Sequence, residues 1–472
     1  MEYDTIAAIA TPSGSGGIGI IKISGKDAFS IAEAIFQNSH ASRGEDSSES
    51  EALSFPLKSH RLYHGHIVNP GTGQVLDEVL LSAMKAPKTY TREDIIEINT
   101  HSGYIVMASI LDLVLQRGAR LADPGEFTKR AYLSGRIDLT QAEAVIDIIN
   151  SRTQKSLEIA MSQIKGNLKK RIESIRGSLI DILTQVEAAI DFPEDVADVI
   201  DAVSLRQILE KKIISELLDM VAQYENAHFL RDGLKMIVVG RPNVGKSSLM
   251  NRLIQDDRVI VTSIPGTTRD LIEETLSIRG IPVIIADGAG LHETKDPVEV
   301  IGIGKTKEYI HASDLILFMI DASDPFTMED QEIYKTIIGD KRIILVINKI
   351  DLVENNFNFE IPETWKKIPS VKISALYGDG LSSLKDLIAK LVIGDHRLEV
   401  QNRIIPNLRH KIALEKSLEF VVSASEELCK GTSYELIAID IKETLDKLGE
   451  IIGSVAKEDV IDQIFSRFCI GK

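Results

Sequence analysis

The sequence is poor in the residues that build extracellular or membrane-embedded proteins. It holds two cysteines, Cys429 and Cys469, in 472 residues. Two thiols cannot make a disulfide framework, so a reducing, cytoplasmic setting is expected. No uninterrupted apolar run approaches the roughly 20 residues of a membrane-spanning helix, so no membrane association is expected. The N-terminus lacks the charged-then-apolar layout of a secretory signal. Positive charge is also in deficit, with 54 Lys and Arg against 70 Asp and Glu and a net charge of −16. That excludes whole-molecule attraction to nucleic acid, so any RNA contact must use local basic faces.

What is present is enough apolar residue, 44%, and enough length for about three domains. The most informative stretch is Gly240-Arg241-Pro242-Asn243-Val244-Gly245-Lys246-Ser247. It fits G-x-x-x-x-G-K-[ST], in which backbone N–H groups close around phosphate oxygens. Lys246 reaches the β- and γ-phosphates, and Ser247 can ligate Mg²⁺. The apolar run from Lys235 to Val239 predicts a strand before it. Ser248 to Ile254 predicts a helix after it, whose N-terminal dipole favours anions.

Four further segments follow in the order expected of a guanine nucleotide-binding domain. Thr267 and Thr268 stand where a switch loop brings a threonine, Thr268, to Mg²⁺. Asp287, Gly288, Ala289 and Gly290 follow the apolar run Ile281–Ala286 and supply a metal-side aspartate and a mobile glycine. Asn348, Lys349, Ile350 and Asp351 form N-K-x-D after the strand-like run from Ile343 to Ile347. Asp351 can accept two hydrogen bonds from the guanine edge, a donor pair that adenine lacks, and unpaired buried polar groups penalise the wrong base. Ser374, Ala375 and Leu376 resemble the last guanine-contacting loop of GTPases.

The remainder divides around this domain. Residues 1–119 read as an α+β unit. Its loop 11–17 is glycine-rich, but no lysine motif follows it, so a tight turn is favoured over a phosphate cradle. Residues 38–54 are rich in Ser and Glu and are expected to form a surface loop. His64 and His66 share a strand face but have no further ligand cluster nearby, so metal is discounted. Residues 120–226 are helical. Ile164, Leu168, Ile172, Ile175, Leu179, Ile182 and Val186 form a long apolar stripe. Lys165, Lys169, Lys170, Arg171 and Arg176 lie among them, and a solvated face is favoured over an RNA-facing one. Residues 227–393 carry the nucleotide motifs and alternate strands with helices, implying a parallel sheet. Residues 394–472 are helical again. The simplest architecture packs the two helical segments together around an inserted α/β domain.

The chain ends Cys469-Ile470-Gly471-Lys472. Gly471 and Lys472 do not suit a prenylation box. A terminal thiol near cations suits nucleophilic or redox chemistry, and the competing role is packing of the last helix.

Taken together, Asp4–Pro12, Pro124–Leu133, Asp138–Ala144 and the terminal Cys-Ile-Gly-Lys make the chain resemble the bacterial tRNA-modification GTPase MnmE (TrmE) family over nearly its whole length. The resemblance implies a folate-binding-like, dimerising N-terminal domain, an all-α helical domain and an inserted P-loop GTPase. It implies a homodimer that joins the flavoprotein MnmG in a heterotetramer and acts on C5 of the wobble uridine of tRNA. The methylene carbon would come from methylenetetrahydrofolate. Lys22, Glu97, Arg136 and Lys472 would hold the folate, bound as 5-formyltetrahydrofolate or its methylene form. Lys22 and Arg136 stand where other members can carry Arg and Lys.

For GTP, the resemblance implies contacts from Asn243, Val244, Gly245, Lys246, Ser247 and Ser248, and from Thr262, Ser263, Ile264, Pro265, Gly266, Thr267 and Thr268. Leu291 occupies the position where Ras-like enzymes place a water-orienting glutamine, so another group must act. The resemblance implies K⁺, held by Asn243, Thr262, Ile264 and Thr267, with Glu299 positioning water. Gly288 and His292 stand where the family more often has threonine and arginine. Cys469 is the candidate for chemistry on tRNA. The competing expectation is a GTP-switched ribosome-assembly factor, for which the folate-type domain and Cys469 would have no use.

Overall fold

The computed structural model describes residues 4–12, 14, 16–39, 56–192, 201–257, 274–285, 310–324, 326–339, 342–353, 361–393, 404–455 and 458–472. They form two units, Met1–Ile146 with Gly449–Lys472, and Asp147–Thr262 with Thr268–Leu448.

The first unit is α+β. Its strands are β1 (Ile6–Ile9), β2 (Ile18–Ser24), β3 (Phe36–Asn38), β4 (Arg61–Val68), β5 (Val75–Met84), β6 (Ile95–His101) and β7 (Arg120–Leu121). They form one sheet in the order β3-β4-β5-β6-β2-β1-β7. The glycine-rich loop after β1 returns the chain into antiparallel β2, as a turn would. Alternation sends Ile21 and Ile23 of β2, and Ile96 and Ile98 of β6, into the core. Helices Ala28–Ile35 and Tyr104–Gln116 add Ile31, Ile35, Ile110 and Val114 to that core. Lys22 and Glu97 fall between these apolar positions, and period-2 geometry therefore turns them to the opposite face.

The C-terminal segment completes this unit. Phe465 and Phe468 pack on Leu139 and Ala142, and the Tyr132 hydroxyl donates to the Gly453 carbonyl at 2.7 Å. A partly buried charge cluster fastens the helix Glu126–Leu133 in place. Arg130 pairs with Asp4 at 2.9 Å, Glu93 at 3.1 Å and Glu126 at 2.8 Å, and Arg120 pairs with Asp4 and Glu126, each at 2.7 Å.

In the second unit, strands β8 (Leu234–Val239), β9 (Glu274–Ile278), β10 (Ile281–Ile285), β11 (Leu315–Asp321), β12 (Arg342–Asn348) and β13 (Ser370–Lys372) form a sheet in the order β13-β12-β11-β8-β10-β9. Five strands are parallel, and edge strand β9 runs antiparallel to β10. The fully parallel expectation thus fails at that edge, where a short turn through Gly280 (φ 79°) joins β9 to β10 as a hairpin.

The helices of this unit include Asn167–Asp191, Ser215–Asp232 and Leu408–Lys430. The last two pack against each other, so the helical segments on either side of the nucleotide domain do meet. Ala227, Phe229 and Leu230, at the end of Ser215–Asp232, share a core with β8, β10 and β11.

The apolar stripe expected as one helix is two. Gln154–Ile164 ends, Gly166 takes φ 75°, and Asn167–Asp191 begins. Leu168 to Val186 keep their buried positions on the second helix. Val422, Leu436 and Ile439, apolar residues of the C-terminal helical segment, are exposed.

Candidate functional site

The phosphate loop follows β8, whose residues Met236 and Val238 are buried. Gly240 has φ 159° and Gly245 φ 100°. A Cβ on Gly240 would collide with the Met319 carbonyl, and one on Gly245 with the Asn348 amide. Both positions therefore need glycine. Asn243 is left-handed, with φ 62°, and turns the loop before helix Lys246–Asp257. The Lys246 ammonium donates to the Gly240 and Arg241 carbonyls at 2.8 and 2.7 Å, across the loop's mouth. Burial lowers its pKa, while Glu329 raises it. Asn243, Ser247 and Ser248 are exposed, so their polar groups are open to a ligand. Arg241 fixes the loop from outside, bonding Asp330 at 2.8 Å and Asp324 at 3.0 Å.

The base-reading loops are tied to this cradle. Asn348, buried at the end of β12, donates from Nδ2 to the Val244 carbonyl at 2.8 Å and accepts from Ala375 N–H at 2.9 Å. Lys349 is left-handed at φ 63° and pairs with Asp321 at 2.6 Å. Burial opposes charge on Asp321, but Lys349 and Ser323 outweigh it and hold its pKa low. Asp351 is exposed just beyond, and Ser374 and Ala375 lie buried beside exposed Leu376. A nucleotide with three phosphates and a donor-rich base edge fits this set. The two glycines open the cradle, and Asp351 is the free carboxylate.

Thr262, Ser263, Ile264, Pro265, Gly266, Thr267, Thr268, Asp287, Gly288, Ala289, Gly290, Leu291, His292 and Glu299 lie outside the described residues. Among the described residues no cluster of three or more His, Cys, Asp or Glu could hold a metal. His64 instead pairs with Glu78 at 2.7 Å.

The first unit brings together the residues expected to hold a folate. Lys22 and Glu97 are register partners across β2 and β6 and form an ion pair at 3.7 Å. The Lys22 ammonium sits 5.8 Å from the Tyr90 ring centre and 5.4 Å from that of Phe127. Burial lowers its pKa, Glu97 opposes that, and Lys472 adds to it, so Lys472 is close enough to be felt. The Arg136 guanidinium lies over the same Tyr90 ring at 4.7 Å, and the Tyr90 hydroxyl is 3.0 Å from Thr128 Oγ1. A cavity of about 490 Å³ opens beside Tyr90 and Arg136. A flat, hydrogen-bonding heterocycle with an anionic tail fits this set, because it offers a carboxylate acceptor, an aromatic face and several cations. Tyr90 and Phe127 were not legible as site residues. Only the register of β2 on β6 and the docking of helix Glu126–Leu133 bring them to Lys22.

Cys469 is exposed, and Phe465 and Phe468 fill the core beside it. Its carbonyl accepts from Gly125 N–H at 3.4 Å and from Lys472 N–H at 3.3 Å. In the second unit the basic stripe is partly neutralised. Arg171 pairs with Glu216 and Asp219, and Lys169 with Glu173. No described helix is long and apolar enough to cross a membrane.

Comparison with known proteins agrees with this arrangement. The family described as the MnmE helical domain matches residues 139–469, and the GTP-binding protein TrmE N-terminus matches residues 5–136. The tRNA modification GTPase MnmE of Acetivibrio thermocellus is 45% identical over 472 residues, all of both chains. That of Natranaerobius thermophilus is 43% identical over 472 residues, and that of Syntrophus aciditrophicus 46% over 474, again covering all of both chains. Matches of this extent and identity, on a chain with a formed guanine-nucleotide cradle, establish that it belongs to the MnmE family of tRNA modification GTPases.

Proposed function

We propose that the protein is a potassium-activated GTPase that works with MnmG to place an aminomethyl or carboxymethylaminomethyl group on C5 of the wobble uridine of tRNA. It acts in the cytoplasm as a homodimer that joins MnmG in a heterotetramer. The observation that carries this reading is the Lys22–Glu97 pair between Tyr90 and Phe127. A plain GTP switch has no use for a half-buried, cation-rich, aromatic-walled site far along the chain from its nucleotide motifs.

When bound, methylenetetrahydrofolate supplies a one-carbon unit, and Mg²⁺ and K⁺ supply positive charge at the phosphates. The chain's own residues do the rest. Glu97 accepts from heterocycle N–H groups, Lys22, Arg136 and Lys472 hold anionic groups, and Tyr90 and Phe127 exclude water. At the other site Lys246 would exchange its loop carbonyls for phosphate oxygens, and Ser247 and Thr268 would hold Mg²⁺. Asn243, Thr262, Ile264 and Thr267 would hold K⁺, and Glu299 would orient the attacking water. Cys469 is the nucleophile on the tRNA-modification side.

Nucleoside analysis of tRNA tests the reading. A strain lacking the protein should lose the modified wobble uridine. Wild-type protein should restore it, and Glu97→Gln should not. Normal wobble uridine in the deletion strain would overturn the reading in favour of a ribosome-assembly switch.

A further inference from the structure

The cavity beside Tyr90 is lined by Met84, Pro87, Thr89 and Tyr90 and by three cations, Lys88, Arg92 and Arg136. No carboxylate lines it. The acidic residues of the same loop face elsewhere: Glu93 accepts from Ser24 and pairs with Arg130, and Asp94 accepts from Ala86 N–H. Among the described residues, none of the three cations forms an ion pair, whereas Arg120 and Arg130 of the same unit do. Three like charges around one hollow repel each other unless an anion enters.

Arg92 is held there by its backbone and by one bond. It is left-handed at φ 62°, a conformation uncommon for a non-glycine residue. Its Nη1 donates to the Ser134 carbonyl at 2.7 Å, and its other guanidinium hydrogens have no partner among the described residues. The Lys88 carbonyl is 3.2 Å from His60 Nε2, which holds that stretch of loop.

Tyr90 joins this hollow to the Lys22–Glu97 pair. One face of its surroundings carries the Lys22 ammonium, and Arg136, which also lines the cavity, lies over the ring. A ligand whose heterocycle meets Glu97 and whose aromatic middle passes Tyr90 would bring an anionic tail to Arg136, Arg92 and Lys88.

We propose that this cavity binds the γ-linked glutamyl carboxylates of the folate, so that the protein selects polyglutamylated over monoglutamyl folates. The proposal rests on the folate reading given above. Each added glutamate brings one more carboxylate, and the cavity offers cations beyond the one that a single glutamate needs. These pairs are solvent-exposed, so each contributes modestly; two of them amount to about a tenfold gain in affinity at low salt. The gain should shrink as salt is raised.

The test is equilibrium binding of 5-formyltetrahydrofolate with one and with three glutamates to the full-length protein, in low and in high salt. The triglutamyl form should bind about tenfold tighter in low salt. In Lys88→Gln/Arg92→Gln that preference should fall to about twofold or less, with unchanged thermal unfolding. Arg92→Lys, which keeps the charge, should retain most of it. Equal binding of the two forms by wild-type protein overturns the tail site while leaving the folate reading intact. Retained preference in the double variant also overturns it. Absence of binding by both forms overturns the folate reading itself, and this proposal with it. A double variant that keeps the preference but binds tRNA more weakly would reassign the cations to RNA phosphates.

Discussion

Asn348 and Val244 are 104 residues apart in the chain, and the Asn348 side-chain amide donates to the Val244 carbonyl at 2.8 Å. Its oxygen accepts from Ala375 N–H. One buried side chain therefore fastens the phosphate loop to both base-reading loops. Asn348→Ala leaves a buried carbonyl and a buried N–H without partners, at about 1–3 kcal/mol each. GTP affinity should fall about 10- to 100-fold, and thermal unfolding should move down. Binding of a fluorescent GTP analogue, with unfolding followed in parallel, checks this; unchanged affinity would show that the loops hold their positions independently.

Asp351 is exposed beyond this brace, with its carboxylate open to a ligand. Asp351→Asn turns one acceptor into a donor. GTP should weaken about a hundredfold, the size of losing charge-assisted hydrogen bonds, and xanthosine triphosphate should gain. Titration of both nucleotides decides, and an undisturbed GTP preference would mean that another loop reads the base.

How far these sites could be seen in the sequence depended on the range of the interaction. The phosphate loop and N-K-x-D are local patterns, since the spacing of glycine, lysine and asparagine is itself the chemistry. The helix break at Gly166 is local too, but the apolar periodicity runs straight across it, and only the left-handed φ reveals two helices. Lys22 and Glu97 became a pair through strand register. Tyr90, Arg92 and Lys88 reached the same region through a loop whose course no spacing rule fixes, and Phe127 through the docking of helix Glu126–Leu133. Val422, Leu436 and Ile439 are apolar yet lie exposed, because an apolar residue on a helix does not by itself show what covers it.

The Arg130 cluster carries a pH dependence. Burial pushes the Glu126 carboxyl up, but Arg120, the Asp123 N–H and Arg130 together pull it below its usual 4.5. The folded state then binds fewer protons than the unfolded one. The contribution is complete above pH 4.5 and is lost as pH falls through the folded value. The melting temperature should drop steeply in that acid range. Glu126→Gln should melt lower at neutral pH and follow a flatter acid limb. An equally steep limb in the variant would assign the acid response to other carboxylates.

Leu291 cannot hydrogen-bond to water, and this motivates a joint prediction for potassium and Glu299. GTP turnover should be faster in potassium chloride than in sodium chloride by about tenfold or more, since a misfitting cation forfeits transition-state charge stabilisation. Glu299→Ala should lower kcat by about 100-fold with little change in GTP affinity, as for a group acting mainly in the transition state. Equal rates in the two salts would remove the potassium site, and an unaltered kcat would make Glu299 a surface charge.

Gly125 seats the tail that presents Cys469. Its φ is 68° and its N–H donates to the Cys469 carbonyl. A Cβ there would come within 2.8 Å of the Phe465 carbonyl and 2.9 Å of Phe468 Cβ. Both the left-handed backbone and the lack of space therefore oppose alanine. Gly125→Ala should shift the tail while leaving the phosphate loop and the base-reading loops, built from residues of the other unit, intact. GTP turnover should stay within about twofold, while tRNA modification falls about tenfold or more, because displacing a reactive group by about 1 Å costs heavily. Cys469→Ser should abolish modification and also spare GTP turnover, since serine fills the same space without an accessible thiolate. The two variants separate position from chemistry. With Gly125→Ala a reduced rate should persist at saturating tRNA, whereas with Cys469→Ser no rate should remain at any concentration of tRNA. Full modification by Cys469→Ser in cells would reject the nucleophile, and Gly125 would then be a packing residue of the last helix.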